Sequence, residues 1–226
     1  MTEAPAQVPA PQPQAVVERD GVRYTLLGTA HVSKASVDAV LDAIVDRAHD
    51  IARCAGLEGL SIGHLAQAVG MSKSGVFAHF GSREDLQLAV LDFAATRFGE
   101  AVLVPSLSQP RGLPRLRAIM RNWFDFVQGN DGNCVLLGAV TEYDDRPGAL
   151  RDQVLANEER WRDALGRAIG QAIESAHLRP DDIEQCVFEL YAIALALNQE
   201  AGLFGHDLAR RHADAATERW IAHHAA

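Results

Sequence analysis

The sequence predicts an all-α protein, with a three-helix helix-turn-helix domain followed by a second helical domain. Aromatic residues make up 6% of the 226 residues while alanine and leucine recur throughout, a composition that favours helices over sandwiches or barrels. From Ser33 onward, apolar residues repeat at steps of three and four, as they do on one face of a helix. Glycine, proline and serine interrupt this repeat and divide it into successive helices.

Residues 1–33 form an extension ahead of these helices. Prolines among alanine and glutamine predict a disordered tail over residues 1–14. Residues 15–19 and 22–27 are expected to pair as a hairpin around a type I′ turn at Asp20-Gly21. A lone hairpin is marginal in water, so we expect this one to be weakly held.

The helices are bounded by caps and breakers. Ser61 and Ser72 precede short helical stretches, Gly70 lies between them, and Pro105 with Gly112 marks a boundary between two domains. We therefore predict a helix-turn-helix domain over residues 36–100 and a second domain over 105–226. The predicted helices cover residues 33–56, 61–69, 72–80, 83–99, 113–127, 134–143, 150–176, 180–203 and 207–222.

Composition excludes several classes of protein. No apolar run approaches the roughly 20 residues of a membrane span, and the N-terminus lacks the pattern of a secretory signal. The three cysteines, Cys54, Cys134 and Cys186, are far apart, which fits reduced, buried thiols in a cytoplasm. The net charge is −9, so nucleic-acid binding must rest on local charge.

No enzymatic, cofactor or metal site is predicted. The chain has no nucleophile elbow, phosphate loop or dinucleotide fingerprint. The late histidines match no closed zinc pattern with cysteines, and the His223-His224 pair is interpreted as a frayed, solvated end. These histidines are His206, His212, His223 and His224.

Residues 61–80 carry the most informative pattern: a helix, a glycine-containing turn and a second helix, the layout that places its second helix in the DNA major groove. Ser72 would cap that helix, whose free N–H groups can face a phosphate. Residues 59–83 contain no Asp or Glu, although both flanks are acidic. Because a duplex repels carboxylates, the pattern favours DNA binding. The residues expected to pack between the two helices are Leu65, Ala66, Val69, Met71, Val76 and Phe80.

An alternative remains open at this point. Helix-turn-helix geometry also occurs outside DNA-binding proteins, so the chain could be a helical small-molecule-binding protein or enzyme in which this motif is structural only.

The run from Ala55 to Leu86 resembles the TetR/AcrR regulators in the order and spacing of its residues, above all Val69-Gly70-Met71-Ser72-Lys73-Ser74-Gly75-Val76-Phe77 and Gly81-Ser82-Arg83-Glu84-Asp85-Leu86. Residues 133–137 and 142–148 resemble segments of that family's ligand-binding half. The resemblance implies a homodimeric, cytoplasmic, ligand-responsive transcriptional regulator, usually a repressor, that binds double-stranded DNA.

The same resemblance implies which residues contact DNA. Lys73 would begin the recognition helix, Ser74 and Gly75 would lie beside bases or backbone, and His79 would meet a phosphate. Many members carry tyrosine where this chain has Phe77, so a hydroxyl contact is missing. Gly63 is also unusual, because glycine costs about 1 kcal/mol against alanine inside a helix. The full expected set is Ser61, Ser72, Lys73, Ser74, Gly75, Phe77, His79 and Arg83.

Residues 21–33 are similar to the opening of the TraB/PrgY proteins, whose members include metal-dependent proteases. The likeness covers only this stretch. Because His31 has no partner ligands in this stretch, we predict no metal-dependent protease activity from this similarity.

The C-terminal half is predicted to bind a ligand and to form a dimer. Residues 186–197 are apolar nearly all round, and Ala209, Ala213, Ala216 and Trp220 form a small-residue seam on the last helix. We expect these two helices to pair with their copies in a four-helix interface, the alternative being a monomer with a fully internal helix. Inward-facing residues are candidates to line a cavity for an unidentified small-molecule effector. They are Trp123, Phe126, Cys134, Tyr143, Trp161, Tyr191 and Asn198.

Overall fold

The computed structural model describes residues 14–19, 22–27, 34–129 and 134–226. Strands β1 (Gln14–Arg19) and β2 (Val22–Leu27) pair antiparallel, with Gln14 opposite Leu27 and Arg19 opposite Val22. The pairing confirms the predicted hairpin. Its turn at 20–21, most of the expected tail and residues 28–33 of the stretch similar to TraB/PrgY proteins lie outside the described residues.

Four helices form the N-terminal part: α1 (Lys34–Gly59), α2 (Ile62–Val69), α3 (Lys73–Phe80) and α4 (Arg83–Phe98). The side chains of Ser61, Ser72 and Ser82 each accept a hydrogen bond from the backbone N–H three residues further on. These serines therefore satisfy amide groups that a helix start leaves unpaired, as the sequence predicts for the first two.

The expected domain boundary at Pro105 is not a break in the helical path. After α4 the chain continues through a π-helical stretch, Gly99–Leu103, and directly into the short helix α5 (Val104–Ser106). Pro105 lies in the first turn of α5, where the fixed φ of proline is compatible with helical geometry. The reversal of the chain comes later, at Gly112, whose φ of 94° is in the left-handed region.

Five helices follow: α6 (Leu113–Gly129), α7 (Val135–Tyr143), α8 (Ala149–Glu174), α9 (Ile183–Phe204) and α10 (His206–His224). The predicted all-α class is confirmed, with the hairpin as its one addition among the described residues. The interpretation of a frayed C-terminal end is wrong, because α10 continues to His224 and this side chain is buried. No described helix combines the length and the apolar character that crossing a bilayer requires.

Two hydrophobic cores organise the helices. One lies mainly between α6, α8, α9 and α10. The other is built by α1 to α4 and includes the residues expected between α2 and α3, of which Leu65, Ala66 and Val76 are fully buried. This second core also takes in Ala139 of α7 and Val154 of α8. The two predicted domains therefore share a core across their boundary.

Two further expectations need correction. Ala209, Ala213 and Trp220 of the small-residue seam are buried in the chain's own core, because α10 packs along α9 of the same chain. Of the cysteines, Cys134 and Cys186 are buried but Cys54 is exposed. The helix face carrying Cys54 points outward from the stripe of Ile44, Ala48 and Ile51.

Candidate DNA-binding interface and effector cavity

The outward face of α3 carries the residues expected to contact DNA. Lys73, Ser74 and His79 are exposed, and Phe77 presents 53% of its surface to solvent. Val76 on the opposite face is fully buried and holds α3 against the core. The helix therefore offers one continuous polar and basic surface that is free of carboxylates.

Serine side chains shape the beginning of α3. Ser72 Oγ accepts from the Gly75 amide at 3.0 Å and lies 3.1 Å from Ser74 Oγ. A Cβ on Gly75 would approach Ser72 Oγ to 3.2 Å, so a glycine fits this capped turn closely. Because Ser72 satisfies only one amide, other N–H groups of the first turn remain directed toward solvent and toward any phosphate placed there.

Lys73 lies across α2 at Gly63. A Cβ built on Gly63 would be 3.0 Å from Lys73 Cε and 3.3 Å from Nζ. The contact explains why a glycine stands inside α2, where it weakens the helix. It leaves room for the end of the Lys73 side chain, which lies against α2 at this position.

Arg83 differs from the other expected DNA contacts, because the fold engages most of its guanidinium. Its Nε donates to the Leu60 carbonyl at 2.9 Å, and its Nη2 donates to the Glu58 carbonyl and lies 3.1 Å from Glu58 Oε2. Arg83 thus satisfies carbonyl groups at the end of α1 and neutralises the carboxylate nearest to the motif. Its role at DNA stays a prediction, and a phosphate would have to share it with these partners.

A cavity of ≈ 370 Å³ lies between α4, α6, α7 and α8. Its aromatic wall is an edge-to-face cluster in which Trp161 packs on Phe98 and on Trp123, with ring centroids 4.7 Å apart in both pairs. Leu137 and Val154 add further apolar surface. The size and lining suit a small molecule with an apolar or aromatic body.

Polar groups on α8 also face this cavity. Among the described residues, the indole N–H of Trp161 and the amide nitrogen of Asn157 are buried without a hydrogen-bond partner. Burial raises the pKa of Glu158, whose carboxylate lies 3.5 Å from Arg162 Nε. Burial likewise raises the pKa of the Cys134 thiol, which keeps it neutral. Unpaired buried donors are costly, so the wall of the cavity contains hydrogen-bonding groups that the fold leaves unsatisfied.

The structure brings some of the expected ligand residues to the cavity and not others. Trp123, Cys134 and Trp161 line it. Phe126 and Tyr191 do not, since they pack behind it on Phe98 at 5.4 Å and on Trp123 at 5.7 Å.

The remaining two expected ligand residues lie elsewhere. Asn198 Oδ1 accepts from the Cys134 amide at 3.3 Å beside a separate space of ≈ 170 Å³. Tyr143 belongs to the other core, and its hydroxyl donates to Glu58 Oε1 at 2.8 Å. It points away from the cavity because it ends α7, on the side where this helix meets α1.

Sequence reasoning missed Asn157 and Glu158 as cavity residues. A signal for Glu158 was present, because it stands three residues before Trp161 and four after Val154 and so shares their buried face. A carboxylate on an apolar stripe is a reason to expect a site.

Helix α7 joins the cavity to the helix-turn-helix motif. Its first turns line the cavity at Leu136 and Leu137, and its end meets α1. There the Glu142 carboxylate accepts from the amides of Leu57 and Glu58, at 3.2 and 2.8 Å. These two amides follow a break in α1 and would otherwise lack partners, so a residue of the second domain caps a helix of the first.

An apolar surface remains uncovered on the outer side of α9. Phe188 and Leu203 expose 61% and 69% of their surfaces, and Leu195 lies on the same side with 39% exposed. Phe204, which ends the helix, exposes 66%. Large exposed apolar side chains grouped in this way are typical of a protein interface.

Comparison with protein families gives two adjacent matches. Residues 44–90 match the family described as bacterial regulatory proteins, tetR family. Residues 112–217 match the family described as tetracyclin repressor-like, C-terminal domain. The comparison with curated proteins gave no match.

Solved structures of similar fold cover most of the chain. A TetR-family transcriptional regulator from Streptomyces coelicolor is 20% identical with a TM-score of 0.72, over 82% of this chain and 95% of its own. A regulator of the same family from Agrobacterium tumefaciens is 18% identical with a TM-score of 0.74, over 84% and 99%. AibR, solved with isovaleryl coenzyme A and operator DNA, is 24% identical with a TM-score of 0.63, over 77% and 94%. At these identities the likeness shows the fold.

Proposed function

Since this chain belongs to the tetR family of bacterial regulatory proteins, we propose that it is a homodimeric repressor that a small molecule releases from operator DNA. It is a ligand-responsive, DNA-binding transcriptional regulator. The observation that carries the proposal is the exposed face of α3, which is clear of carboxylates in a protein with a net charge of −9.

DNA would be bound mainly through α3. Lys73, Ser74 and His79 would reach the duplex, while Ser61 and Ser72 present the amide-rich starts of α2 and α3 to phosphates. Phe77 is exposed and can contact a thymine methyl group or a sugar in the groove. These contacts combine phosphate attraction with the groove contacts that read sequence.

The effector would bind in the cavity between α4, α6, α7 and α8. Helices α4 and α7 both line it and both contact α1, so a ligand that favours one arrangement of these helices changes the placement of the motif. AibR, which has a similar fold, was solved in complex with isovaleryl coenzyme A and operator DNA, so a protein of this fold can bind both a small molecule and DNA. Release is then a shift between two populations with different affinities for DNA.

Two copies would pair through the apolar surface of α9. Removing Phe188, Leu203 and Phe204 from water in a dimer stabilises it by burying apolar surface. A two-fold dimer would place its two recognition helices roughly 34 Å apart, which is one turn of DNA. Such a dimer would bind a palindrome-like operator, and we propose that it does so in the cytoplasm. Regulators of this family are generally not enzymes, and we propose no catalytic activity for this one.

Fluorescence anisotropy with the DNA upstream of the protein's own gene tests the proposal. Lys73→Ala and His79→Ala should weaken binding, and Lys73→Ala should reduce the slope of log affinity against log salt by about 1, the value of one lost phosphate contact. Arg167→Ala is the matched control, because Arg167 is an exposed cation on α8, away from the motif. Equal affinity and equal slope in all four proteins would show that this face does not bind DNA.

A further inference from the structure

Three metal-ligating side chains meet at one end of the α9 and α10 pair, away from both the DNA-binding face and the effector cavity. Asp181 stands just before α9, Cys186 lies in its first turn, and His224 ends α10. One carboxylate oxygen, the sulfur and one imidazole nitrogen all lie within 4.8 Å of one another. Cys186 and His224 are buried, while Asp181 is exposed.

The imidazole of His224 is oriented as that of a metal ligand. Its Nδ1 lies 2.8 Å from the Trp220 carbonyl. A carbonyl only accepts, so Nδ1 carries the proton and the lone pair of the neutral ring is on Nε2. Metal-bound histidines are held in this way by a hydrogen bond from the other ring nitrogen. The ring is further fixed by stacking on the Trp220 indole, with centroids 4.2 Å apart.

The spacing of the ligand atoms fits a tetrahedral metal. His224 Nε2 lies 3.4 Å from Asp181 Oδ2. Two ligands at about 2.0–2.1 Å from a tetrahedral zinc are about 3.3–3.4 Å apart. The same distance is long for a direct charged hydrogen bond, which is about 2.7–2.9 Å.

The backbone holds these residues in place. The Arg179 amide donates to the His224 carbonyl at 2.8 Å, and Leu178 pairs with Ala225 in an isolated bridge. The Cys186 amide donates to the Asp182 carbonyl at 3.0 Å as α9 begins. The end of the chain is therefore fastened to the segment that supplies Asp181, so the three ligands are arranged before any metal binds.

The surrounding charge favours a cation. Besides Asp181, the carboxylate of Glu189 lies near the cluster, with its Oε2 4.0 Å from His224 Nε2. A divalent cation would offset this concentration of negative groups and would bind the sulfur as a thiolate.

We propose that Asp181, Cys186 and His224 form a binding site for a divalent transition metal of the zinc type. The mixed oxygen, sulfur and nitrogen set suits zinc in preference to magnesium or calcium, which take oxygen ligands. Water completes the tetrahedron on the exposed side. On binding, the metal replaces the thiol proton, which leaves to solvent, and no group is oxidised or reduced. The metal ties the end of α10 to the beginning of α9.

The sequence alone led us to predict no metal site. The late histidines match no closed zinc pattern with cysteines; only His224 contributes, and its partners lie 38 and 43 residues earlier in the chain. Only the packing of α10 along α9 brings them together.

Metal titration of the untagged, full-length protein tests the proposal after dialysis against a chelator. Zinc should bind with one equivalent per chain and raise the melting temperature, and cobalt should give a thiolate-to-cobalt charge-transfer band in the near ultraviolet. Cys186→Ala should abolish that band, and Asp181→Asn, at an exposed position that does not threaten folding, should weaken zinc binding at least tenfold. Cys54→Ala, at an exposed cysteine, is the matched control and should keep both the cobalt band and the zinc affinity.

Two results would overturn the site. One is wild-type protein that binds no stoichiometric zinc or cobalt at micromolar concentration, which would leave His224 and Asp181 as a simple ion pair. The other is a cobalt band that persists in Cys186→Ala, which would place the metal elsewhere. Circular dichroism of each variant identifies any loss of binding that comes from unfolding alone.

Discussion

The absence of a side chain at Gly63 makes room for Lys73, one of the residues expected to bind DNA. The glycine weakens α2, yet the aliphatic part of Lys73 occupies the space that an alanine side chain would need, with Cε 3.0 Å from the position of a Cβ. Sequence alone could identify Gly63 as unusual but could not give the reason, because the contact joins two different helices.

Gly63→Ala should therefore have opposite effects on stability and on DNA binding. The free energy of unfolding should rise by up to about 1 kcal/mol, because alanine is the better helix former and the displaced atoms belong to a flexible side chain. DNA affinity should fall severalfold, because Lys73 is moved. A double-mutant cycle measured by denaturation and anisotropy checks this. If Gly63→Ala lowers affinity equally in the Lys73→Ala background, the contact is not the cause.

His49 gives the molecule a predictable response to acid. Burial, assisted by Arg97 and Arg53 and opposed by Asp50 and Asp46, lowers the pKa of His49 from 6.5 to about 4. The unfolded chain thus binds a proton in a range where the folded protein does not. Stability that is fully present above pH 6.5 is lost as the pH falls toward 4.

The free energy of unfolding should drop by about 1–3 kcal/mol between pH 7 and pH 4.5 through this group. His49→Gln removes the titration and should flatten that part of the profile, as urea denaturation at a series of pH values would measure. An identical pH profile in the two proteins would contradict the assignment to His49.

At the scale of elements, the structure makes α7 the link between the two domains. Gly56 breaks α1 with a φ of 74°, and a Cβ there would lie 2.5 Å from Glu142 Oε1. The glycine is required both by its backbone conformation and by the close approach of the carboxylate. Glu142 then satisfies the amides of Leu57 and Glu58, which the break would leave unpaired.

Glu142→Ala should destabilise the protein by about 1–2 kcal/mol, because it removes the charged acceptor of one part-buried amide and one exposed amide. Glu142→Gln keeps an acceptor oxygen and should cost less. Chemical denaturation of the three proteins should give a free energy of unfolding that falls in the order wild type, Glu142→Gln, Glu142→Ala. A glutamine variant as unstable as the alanine variant would mean that the hydrogen bonds are not the source of the effect.

Elements defined by local chemistry could be predicted from sequence, and features defined by contact between elements could not. The caps of α2 and α3 were predictable, because serine and glycine act within a few residues of their own position. The continuation of α4 through residues 99–106 was not, since it keeps a proline inside a helical turn. Likewise, the outward face of α3 follows from spacing, but the role of Tyr143 beside Glu58 depends on contact across 85 residues.

In the whole molecule, the α3 face and the cavity differ in how far they could be predicted from the sequence. The proposed DNA-binding face lies on one short helix, so its residues could be named from the spacing within that helix. The cavity needs four helices to meet, so Trp123 and Trp161 were expected there, whereas Asn157 entered only with the structure. The predicted dimer surface lies on the outer side of α9, since the small-residue seam of α10 serves the chain's own core.

Phe188→Glu should convert the proposed dimer to a monomer, because Phe188 shares one face of α9 with Leu195. A charge placed on that apolar face would be desolvated without a partner in the dimer, so it opposes association. Leu107→Glu is the matched control, because Leu107 is 63% exposed at the end of α5, outside the α9 surface. Light scattering at micromolar concentration should give twice the chain mass for wild type and control. A wild-type protein with the mass of one chain would contradict the dimer.

Hydroxyl-radical footprinting of the upstream DNA shows whether two copies of the α3 face bind one duplex. We expect two protected segments related by two-fold symmetry, centred about 10 base pairs apart, that disappear in Lys73→Ala and remain in Arg167→Ala. A uniform cleavage pattern, or protection unchanged by Lys73→Ala, would contradict this expectation.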